Sequence, residues 1–283
     1  MNTFTKLTEL LHDKAEVRHD VSMMSYTIIR TGGKADIFIT PNKISYIGDV
    51  VRACNELNLS IHVIGKGSNL IVADRGVRGA VLHLGRQCGR VSIVDDVIYA
   101  EAGVYIPTLV SICMKARLQG IEIVTGIPGT LGGAIYMNAG YTKPISNIIK
   151  SVTIFRDFQV IQLQRDEIEF GHRTSMFQLH NDIILSAELQ LEKGEIKDTV
   201  KSYILERKIK QPLHYPNCGS VFKKPGKKVY NLKGISYGNA EYCKGFILNK
   251  GGATTDDVLK VINMVRIRAG KQLYLEAELM GEF

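Results

Sequence analysis

The chain has 283 residues, of which 45% are hydrophobic and 23% are charged, and this composition excludes disordered, collagen-like and disulfide-scaffold classes. The length predicts two domains, or one large α/β domain with an appendage. The net charge of +8 comes from dispersed Lys and Arg without interleaved aromatics, which favours small anionic ligands over nucleic acid.

The start of the chain and its longest uncharged stretch bear on location. Charges run through the N-terminal segment without an apolar core, so we expect no secretory signal and a cytoplasmic protein. The uncharged stretch begins at Ile123 and ends before Lys143, but five glycines and Pro128 interrupt it. It therefore predicts a glycine-rich loop region and not a membrane span. Five cysteines without Cys-x-x-Cys spacing predict reduced structural thiols and no metal site.

Hydrophobic spacing, together with Gly, Pro and Asp at turns, predicts the secondary structure. The predicted elements, in chain order, are a helix over 5–15, a strand over 35–40, a helix over 44–57, strands over 61–64, 70–72, 80–84, 91–94 and 97–100, a helix that begins near Pro107, helices over 196–208 and 255–269, and a strand over 272–279.

Two of these helices have clear signals. Pro107 suits the first turn of a helix whose apolar face comprises Ile106, Leu109, Val110 and Cys113. Thr254-x-x-Asp257 is a capping-box pattern at the start of the last helix, and Gly270 stops that helix. Its predicted apolar face comprises Val258, Val261, Ile262 and Val265.

The first motif that can carry chemistry is Gly65-x-Gly67-Ser68-Asn69, which directly follows a predicted strand. Its two glycines allow the backbone to approach an anion closely, and successive N–H groups can form a phosphate-binding nest. Ser68 and Asn69 would add side-chain hydrogen bonds. A tight turn between strands explains the same pattern, so the motif alone leaves both interpretations open.

The second motif runs from Gly126 to Gly140 and places five glycines among apolar residues. Glycines cost conformational entropy, and a chain tolerates that cost where the backbone turns sharply or lies against a bulky planar ligand. Thr130 and Asn138 are the available side-chain donors. A buried crossing of elements is the alternative, but two such loops in one chain favour a large cofactor that contains phosphate.

These motifs and several others, taken together, resemble the UDP-N-acetylenolpyruvoylglucosamine reductase family in its shorter, type II form. The matching stretches lie in order across about residues 25–280 and are Thr31-Gly-Gly-Lys-Ala-Asp36, Gly65-Lys-Gly-Ser-Asn-Leu-Ile-Val72, Gly126 to Gly140, Glu169-Phe-Gly-His-Arg-Thr-Ser175, Gln211-Pro-Leu-His-Tyr-Pro-Asn-Cys-Gly-Ser-Val-Phe222 and Leu275-Glu-Ala-Glu278.

The resemblance implies an α+β fold with a two-part FAD-binding domain of the vanillyl-alcohol-oxidase/PCMH type and a smaller C-terminal α+β substrate-binding domain. We place the first domain at residues 1–192, with subdomains of about 1–65 and 66–192, and the second at 193–271. The strand over 272–283 is expected to rejoin the first domain.

The resemblance also implies a reaction in peptidoglycan precursor synthesis, a pathway of cell wall biogenesis, cell shape and cell division. In this family FAD is bound and NADPH is the co-substrate, and UDP-N-acetylglucosamine enolpyruvate becomes UDP-N-acetylmuramate. We therefore expect a UDP-sugar enolpyruvyl ether as substrate, no nucleic-acid or membrane partner, and a monomer or weak homo-oligomer.

Family roles map onto matching positions of this chain. Arg173 resembles the arginine beside the substrate carboxylate, Ser220 the serine that protonates the enol intermediate, and Glu278 the glutamate of the same site. Without the resemblance, Arg173 would fit a surface ion pair, Ser220 a turn and Glu278 an edge-strand charge. The implied cofactor-binding positions are Gly65, Lys66, Gly67, Ser68, Asn69, Leu70, Gly126, Ile127, Pro128, Gly129, Thr130, Gly132, Gly133, Asn138 and Ala139.

Two of the departures from the family pattern concern the end of the second loop and the segment after Pro225. Tyr141 follows Gly140 where the family usually has alanine, so the end of the second loop is expected to differ in shape. The segment between Pro225 and Asn249 is the largest departure and is several residues shorter. It motivates an alternative function, a divergent FAD-binding paralogue with a changed or lost substrate.

Overall fold

A computed structural model describes residues 3–180 and 182–283 of the chain. The chain forms two compact units, each built from segments that are distant in sequence. Unit 1 comprises the described residues of Met1–Val17, Ile39–Lys66 and Val81–Arg207. Unit 2 comprises those of Arg18–Phe38, Gly67–Ala80 and Lys208–Phe283. The predicted domains are consecutive blocks of chain, whereas these units alternate along it.

The described residues contain helices and strands in mixed order. The α-helices are α1 (Thr3–Leu10), α2 (Ile47–Glu56), α3 (Ile106–Lys115), α4 (Leu131–Tyr136), α5 (Lys197–Lys210), α6 (Lys227–Tyr230) and α7 (Thr255–Ala269). The strands are β1 (Ala15–Ser22), β2 (Lys34–Pro41), β3 (Ile61–Ile64), β4 (Leu70–Val72), β5 (Val77–His83), β6 (Val91–Val94), β7 (Val97–Glu101), β8 (Leu118–Gln119), β9 (Ile149–Arg156), β10 (Gln159–Gln164), β11 (Phe170–Gly171), β12 (Thr174–Ser175), β13 (Ile183–Gln190), β14 (Glu192–Lys193), β15 (Asn217–Ser220), β16 (Ser236–Tyr237), β17 (Ala240–Cys243), β18 (Phe246–Asn249) and β19 (Glu278–Met280).

The centre of unit 1 is a five-stranded antiparallel sheet with the order β10-β9-β13-β7-β6. The middle strand, β13, is buried along nearly its whole length, which accounts for its continuous apolar run. Helix α4 packs on β7 and β13. Gly132 permits this close packing, because a Cβ there would lie 2.9 Å from the Cβ of Ala102.

The predicted helix after Tyr105 is confirmed as α3, with Pro107 in its first turn. All four residues of its predicted apolar face are buried. Asp95 and Asp96 form the turn between β6 and β7, in the gap between the strands predicted over 91–94 and 97–100.

Unit 2 is built on the four-stranded antiparallel sheet β15-β18-β17-β16, which packs against α7. The segment between Pro225 and Asn249, which departs from the family pattern, forms α6 and three of these four strands. Tyr242 on β17 is buried and donates its hydroxyl to the carbonyl of Val229 (2.9 Å). The departing segment is therefore an integral part of the core of this unit.

The start of α7 is capped as predicted and by one further group. Thr254 Oγ1 accepts the N–H of Asp257 (3.1 Å), and the Asp257 carboxylate accepts the N–H of Thr254 (3.2 Å). The carboxylate of Asp74 accepts the N–H groups of Thr255 and Asp256, each at 2.9 Å. Together these bonds satisfy the free N–H groups of the first turn. Gly270 ends the helix in the left-handed conformation.

The predicted ends of the first helix and of the C-terminal strand differ from the observed ones. The helix predicted over 5–15 runs past its observed end, because α1 ends at Leu10 and β1 begins at Ala15. The C-terminal strand is confined to β19, which pairs in parallel with β4 inside unit 2. A four-stranded sheet, β1-β2-β5-β3, contains the predicted strands over 35–40, 61–64 and 80–84.

The cysteines and the helix lengths bear on two expectations from the sequence. The cysteines are free thiols, and four of them are buried. Burial raises the pKa of Cys54 and Cys113 to about 12, so these thiols stay protonated and unreactive at neutral pH. Among the described residues, no helix has the length and apolar character needed to cross a membrane.

Candidate active site

In unit 1 the two glycine loops meet at Gly65 and Thr130. A Cβ at Gly65 would lie 2.2 Å from Thr130 Oγ1, so only glycine allows this approach without a shift. Thr130 is the N-cap of α4, and its Oγ1 accepts the N–H of Gly133 (3.5 Å). The sequence placed both loops at a cofactor, and the structure brings them together.

Backbone hydrogen bonds fix the second loop to the start of α3. The carbonyl of Gly129 accepts the N–H of Ile106 (3.0 Å), and Leu131 donates its N–H to the carbonyl of Val104 (2.9 Å). The loop backbone at Gly126 and at Gly133 is nevertheless exposed. A fixed backbone with exposed glycines is what close binding of a planar or phosphate-containing group requires.

Thr125, which precedes this loop, has a buried hydroxyl without a hydrogen-bond partner in the part of the chain that the structure describes. Buried hydroxyl groups are normally paired, so an unpaired one beside an exposed glycine loop indicates a place where a bound group completes the site. The glycine contact between Gly65 and Thr130 and the unpaired Thr125 hydroxyl both fit a large cofactor at these loops.

Arg173 lies on the tight turn between β11 and β12, with a left-handed backbone (φ 55°). Its guanidinium donates to the carbonyls of Gly140 (2.9 Å) and Asn138 (3.5 Å). Ser175 on β12 donates its hydroxyl to the carbonyl of Tyr136 (2.7 Å). The hairpin is thus fastened to the end of the second loop, and Arg173 lies beside the predicted cofactor segment.

The side chain of Asn138 takes a role that the sequence did not indicate. Its Nδ2 donates to the carbonyl of Gly171 (2.8 Å), and its Oδ1 accepts the N–H of Ser146 (3.2 Å). Asn138 is buried, and these bonds join the loop to the Arg173 hairpin. Asn138, which the sequence predicts as a side-chain donor to the cofactor, therefore also helps to position Arg173.

In unit 2, the remainder of the first motif is fixed by main-chain contacts. Gly67 has φ 63°, and a Cβ there would lie 1.9 Å from the carbonyl oxygen of Tyr26. Both the backbone angle and the lack of space therefore require glycine. Asn69 donates its side-chain Nδ2 to the carbonyl of Glu276 (2.9 Å), which joins the motif to the C-terminal segment. The Asn69 amide is thus also bound within the protein.

Ser220 ends β15 and follows Gly219, whose φ of 81° belongs to the left-handed region. The register between β15 and β18 is irregular here, because a bulge separates Asn217 from Ser220. The Ser220 hydroxyl is partly buried and donates a long hydrogen bond to the carbonyl of Phe222 (3.4 Å). Bulges are frequent next to active sites.

Glu278 is held close to the same segments. Its N–H donates to the carbonyl of Asn69 (2.8 Å), and Glu276 donates its N–H to the carbonyl of Val221 (2.8 Å). Burial raises the pKa of the Glu278 carboxyl, and the charge of Lys223 opposes that shift. Unit 2 therefore brings together three predicted segments, those around Asn69, Ser220 and Glu278.

One residue beside the second loop was not singled out from the sequence. Arg207, near the end of α5, lies against Gly126, where a Cβ would be 2.8 Å from the Arg207 Cδ and Nε. The sequence shows Arg207 within a polar run of Lys and Arg, and no local pattern distinguishes it from its neighbours.

Family profiles match most of the chain. The profile described as "FAD binding domain" matches residues 35–156, and the profile described as "UDP-N-acetylenolpyruvoylglucosamine reductase, C-terminal domain" matches residues 211–280. The second match includes the departing segment over 225–249, so it does not favour a divergent paralogue with another substrate.

Individual proteins agree with the profiles. A UDP-N-acetylenolpyruvoylglucosamine reductase from Clostridium novyi is 34% identical and aligns over 98% of this chain and 96% of its own length. The crystal structure of a UDP-N-acetylenolpyruvylglucosamine reductase from Thermus caldophilus matches 94% of this chain and 99% of that chain, with 26% identity and a TM-score of 0.79. A 4-ethylphenol oxidase from Gulosibacter chungangensis shares the fold over 68% of this chain and 42% of that chain, with 20% identity and a TM-score of 0.51.

Proposed function

The chain belongs to the UDP-N-acetylenolpyruvoylglucosamine reductase family, and on that premise we propose that it uses NADPH to reduce UDP-N-acetylglucosamine enolpyruvate to UDP-N-acetylmuramate. It is an FAD-dependent oxidoreductase of peptidoglycan precursor synthesis. The observation that carries the residue assignment is the convergence in unit 2 of the segments around Asn69, Ser220 and Glu278.

The chemistry that FAD would supply, when bound, is hydride transfer from NADPH to the β-carbon of the enolpyruvyl group. The backbone of Gly65, Gly126 and Gly133 would hold it, and the Thr125 hydroxyl would gain a partner. Lys66, Ser68 and Leu70, with Ile127, Pro128, Gly129, Gly132 and Ala139, are proposed to line the same loops. Asn69 and Asn138 are proposed to lie along the same loops, with one hydrogen of each side-chain amide already donated within the protein.

Arg173 would bind and orient the substrate carboxylate. Hydride addition at the β-carbon increases negative charge on the α-carbon and its carboxylate, so a fixed cation stabilises the transition state more than the ground state. The two carbonyls that accept from Arg173 restrict its guanidinium to one position at the end of the second loop. This prior placement reduces the entropy lost when the substrate binds.

Ser220 would donate the proton that the α-carbon needs. Among the described residues its hydroxyl has one long hydrogen bond, to the carbonyl of Phe222, which a substrate can displace at little cost. Glu278 would act in the same unit. Burial raises the pKa of Glu278, so its carboxyl binds a proton more readily than that of an exposed glutamate.

The test follows the two halves of the reaction under anaerobic conditions. NADPH is expected to bleach the visible absorption of the flavin, and UDP-N-acetylglucosamine enolpyruvate is expected to restore it. In Ser220→Ala the bleaching should proceed at the normal rate, while recovery slows about 10²- to 10⁴-fold, because the proton is needed only in the second half.

The exposed Ser236 supplies a matched control, since Ser236→Ala should change neither half. A wild-type protein that bleaches but never recovers would exclude this substrate. Equal slowing of both halves in Ser220→Ala would exclude the proposed role of the serine.

The proposal extends to the setting in which the enzyme acts. NADPH and a UDP-sugar are charged molecules that do not cross membranes unaided, which supports a cytoplasmic site of action. Dispersed basic residues support the absence of a nucleic-acid partner, and the proposed state is a monomer or weak homo-oligomer. Sedimentation velocity of the FAD-loaded protein at several concentrations tests the oligomeric state.

A further inference from the structure

Arg207 spans the two ends of the second glycine loop. It lies near the C-terminal end of α5, and its Cδ and Nε pass over Gly126 at the start of the loop. Its guanidinium carbon lies 5.6 Å from the ring centroid of Tyr141, directly after the end of the loop. The aromatic ring supports the planar guanidinium and limits the directions in which its N–H groups point.

The surroundings of Arg207 are unusual for an arginine. Among residues 3–180 and 182–283, no carboxylate forms an ion pair with it. Burial is the main cause that lowers the pKa of Arg207; Tyr141 opposes this shift, and the positive charge of Arg173 adds to it. A partly buried cation near another cation is unfavourable unless an anion joins them.

Arg173 differs from Arg207 in how it is held. The guanidinium of Arg173 donates to two carbonyls of the loop, which are neutral acceptors. The guanidinium of Arg207 has no such acceptor in the described part of the chain, so its N–H groups are available for a ligand. The two arginines therefore offer one fixed cation and one with unused donors beside the same loop.

We propose that Arg207 binds the carboxylate of the enolpyruvyl substrate together with Arg173, an inference that rests on the proposed function. A carboxylate has two oxygens with about four acceptor positions, enough for two guanidinium groups. Because its charge increases when hydride reaches the β-carbon, both arginines stabilise the transition state. Tyr141, which departs from the family pattern at this position, is the residue that positions Arg207.

The test compares two sugars that differ by the carboxylate. UDP-N-acetylglucosamine has the same diphosphate and sugar as the substrate but lacks the enolpyruvyl group. Calorimetry with the FAD-loaded protein measures the binding of each sugar to wild type, Arg207→Gln and Arg207→Lys. The control is Lys208→Gln, which removes an exposed charge from the next position of the same helix.

Arg207→Gln is expected to weaken the binding of the enolpyruvyl substrate about 10- to 100-fold, the effect of one or two hydrogen bonds to a charged group. Binding of UDP-N-acetylglucosamine should change less than about twofold, and so should the rate at which NADPH bleaches the flavin. Arg207→Lys keeps the charge without the planar fork and should give an intermediate loss.

Equal loss for both sugars would overturn the inference, since Arg207 would then serve the diphosphate or the fold. A slower reaction with NADPH, without weaker substrate binding, would overturn it in favour of a role toward the nucleotide or flavin. The proposed function is tested separately, by recovery of the wild-type flavin absorption with substrate. If Arg207→Gln does not fold, the comparison of the two sugars in Arg207→Lys decides.

Discussion

Replacing Gly65 with alanine tests how the two glycine loops of unit 1 fit together. An alanine Cβ would lie 2.2 Å from Thr130 Oγ1, 3.1 Å from Thr130 Cγ2 and 3.2 Å from Thr130 Cβ. The first distance is far inside van der Waals contact. Either the Thr130 side chain turns away or the two loops separate. The backbone of Gly65 is not left-handed, so this contact alone decides the effect.

The magnitude follows from two contributions. Overpacking of this kind costs about 1–3 kcal/mol. If Thr130 turns away, the N-cap of α4 is lost as well, which costs about 1 kcal/mol. We therefore expect the free energy of unfolding of the apoprotein to fall by about 2–4 kcal/mol. If the loops separate instead, FAD binding has to bring them back together against the overpacking energy. We then expect FAD to bind about 5- to 150-fold more weakly.

A double-mutant cycle with Thr130→Ala separates these contributions. This change removes Oγ1 and Cγ2, so the new alanine at Gly65 would meet only the Cβ at 3.2 Å. Thr130→Ala alone should cost about 1 kcal/mol, and Gly65→Ala in that background should cost less than about 1 kcal/mol. The expected coupling is therefore at least about 1 kcal/mol. Urea unfolding of the apoprotein measures stability, and quenching of flavin fluorescence measures FAD affinity.

Gly133→Ala is the matched control for apoprotein stability. Its Cβ would lie 3.5 Å from Thr130 Oγ1, an ordinary contact, and it lies in a helix, where alanine is favoured. It should not destabilise the apoprotein. Additive effects of Gly65→Ala and Thr130→Ala would refute the reasoning, because the two loops would then not meet through this contact.

Three further predictions concern stability. Burial raises the pKa of Glu278, so the contribution of its carboxyl to the free energy of unfolding falls as the pH rises through the ordinary glutamate pKa. Glu278→Gln should therefore stabilise the protein at about pH 8 and not at about pH 4. Urea unfolding at these two pH values measures the difference. Asp74→Ala should cost about 1–2 kcal/mol by removing two bonds from the start of α7, and Asp74→Asn should cost less because one acceptor oxygen remains. Asp182→Ala should cost about 2–3 kcal/mol, because its buried carboxylate forms a bidentate pair with Arg156 (2.6 and 2.7 Å). Removing the exposed Glu195, which pairs with Arg117, should change the melting temperature little, and an equal effect of both acids would contradict the reasoning.

Much of the candidate site could be located from the sequence, but the contacts of its side chains could not. Gly65 and Gly67 are required because backbone or side-chain atoms approach them closely, and the motif identified both. Asn69 and Asn138 were predicted as ligand donors, yet their amides bind main-chain groups far along the chain. The sequence shows that an amide is present, but which group accepts its hydrogen bond depends on the folded chain.

Elements governed by neighbouring residues were determined by the sequence itself. Helix α7 has a capping box, an apolar face and a terminal glycine within one short stretch, and the β6–β7 hairpin has its turn residues between its strands. These signals act over a few residues, where hydrogen-bond geometry and hydrophobic spacing are local.

Pairing across long distances was decided only by the tertiary structure. No strand was predicted at β9, β10 or β13, although β13 is the central strand of the five-stranded sheet. The C-terminal segment joins unit 2 because β19 pairs with β4, about two hundred positions earlier in the chain. Arg207 gains its significance in the same way, since only folding places it beside Gly126 and Tyr141. Local chemistry sets which conformations each segment can adopt, whereas burial of the common core selects which distant segments meet.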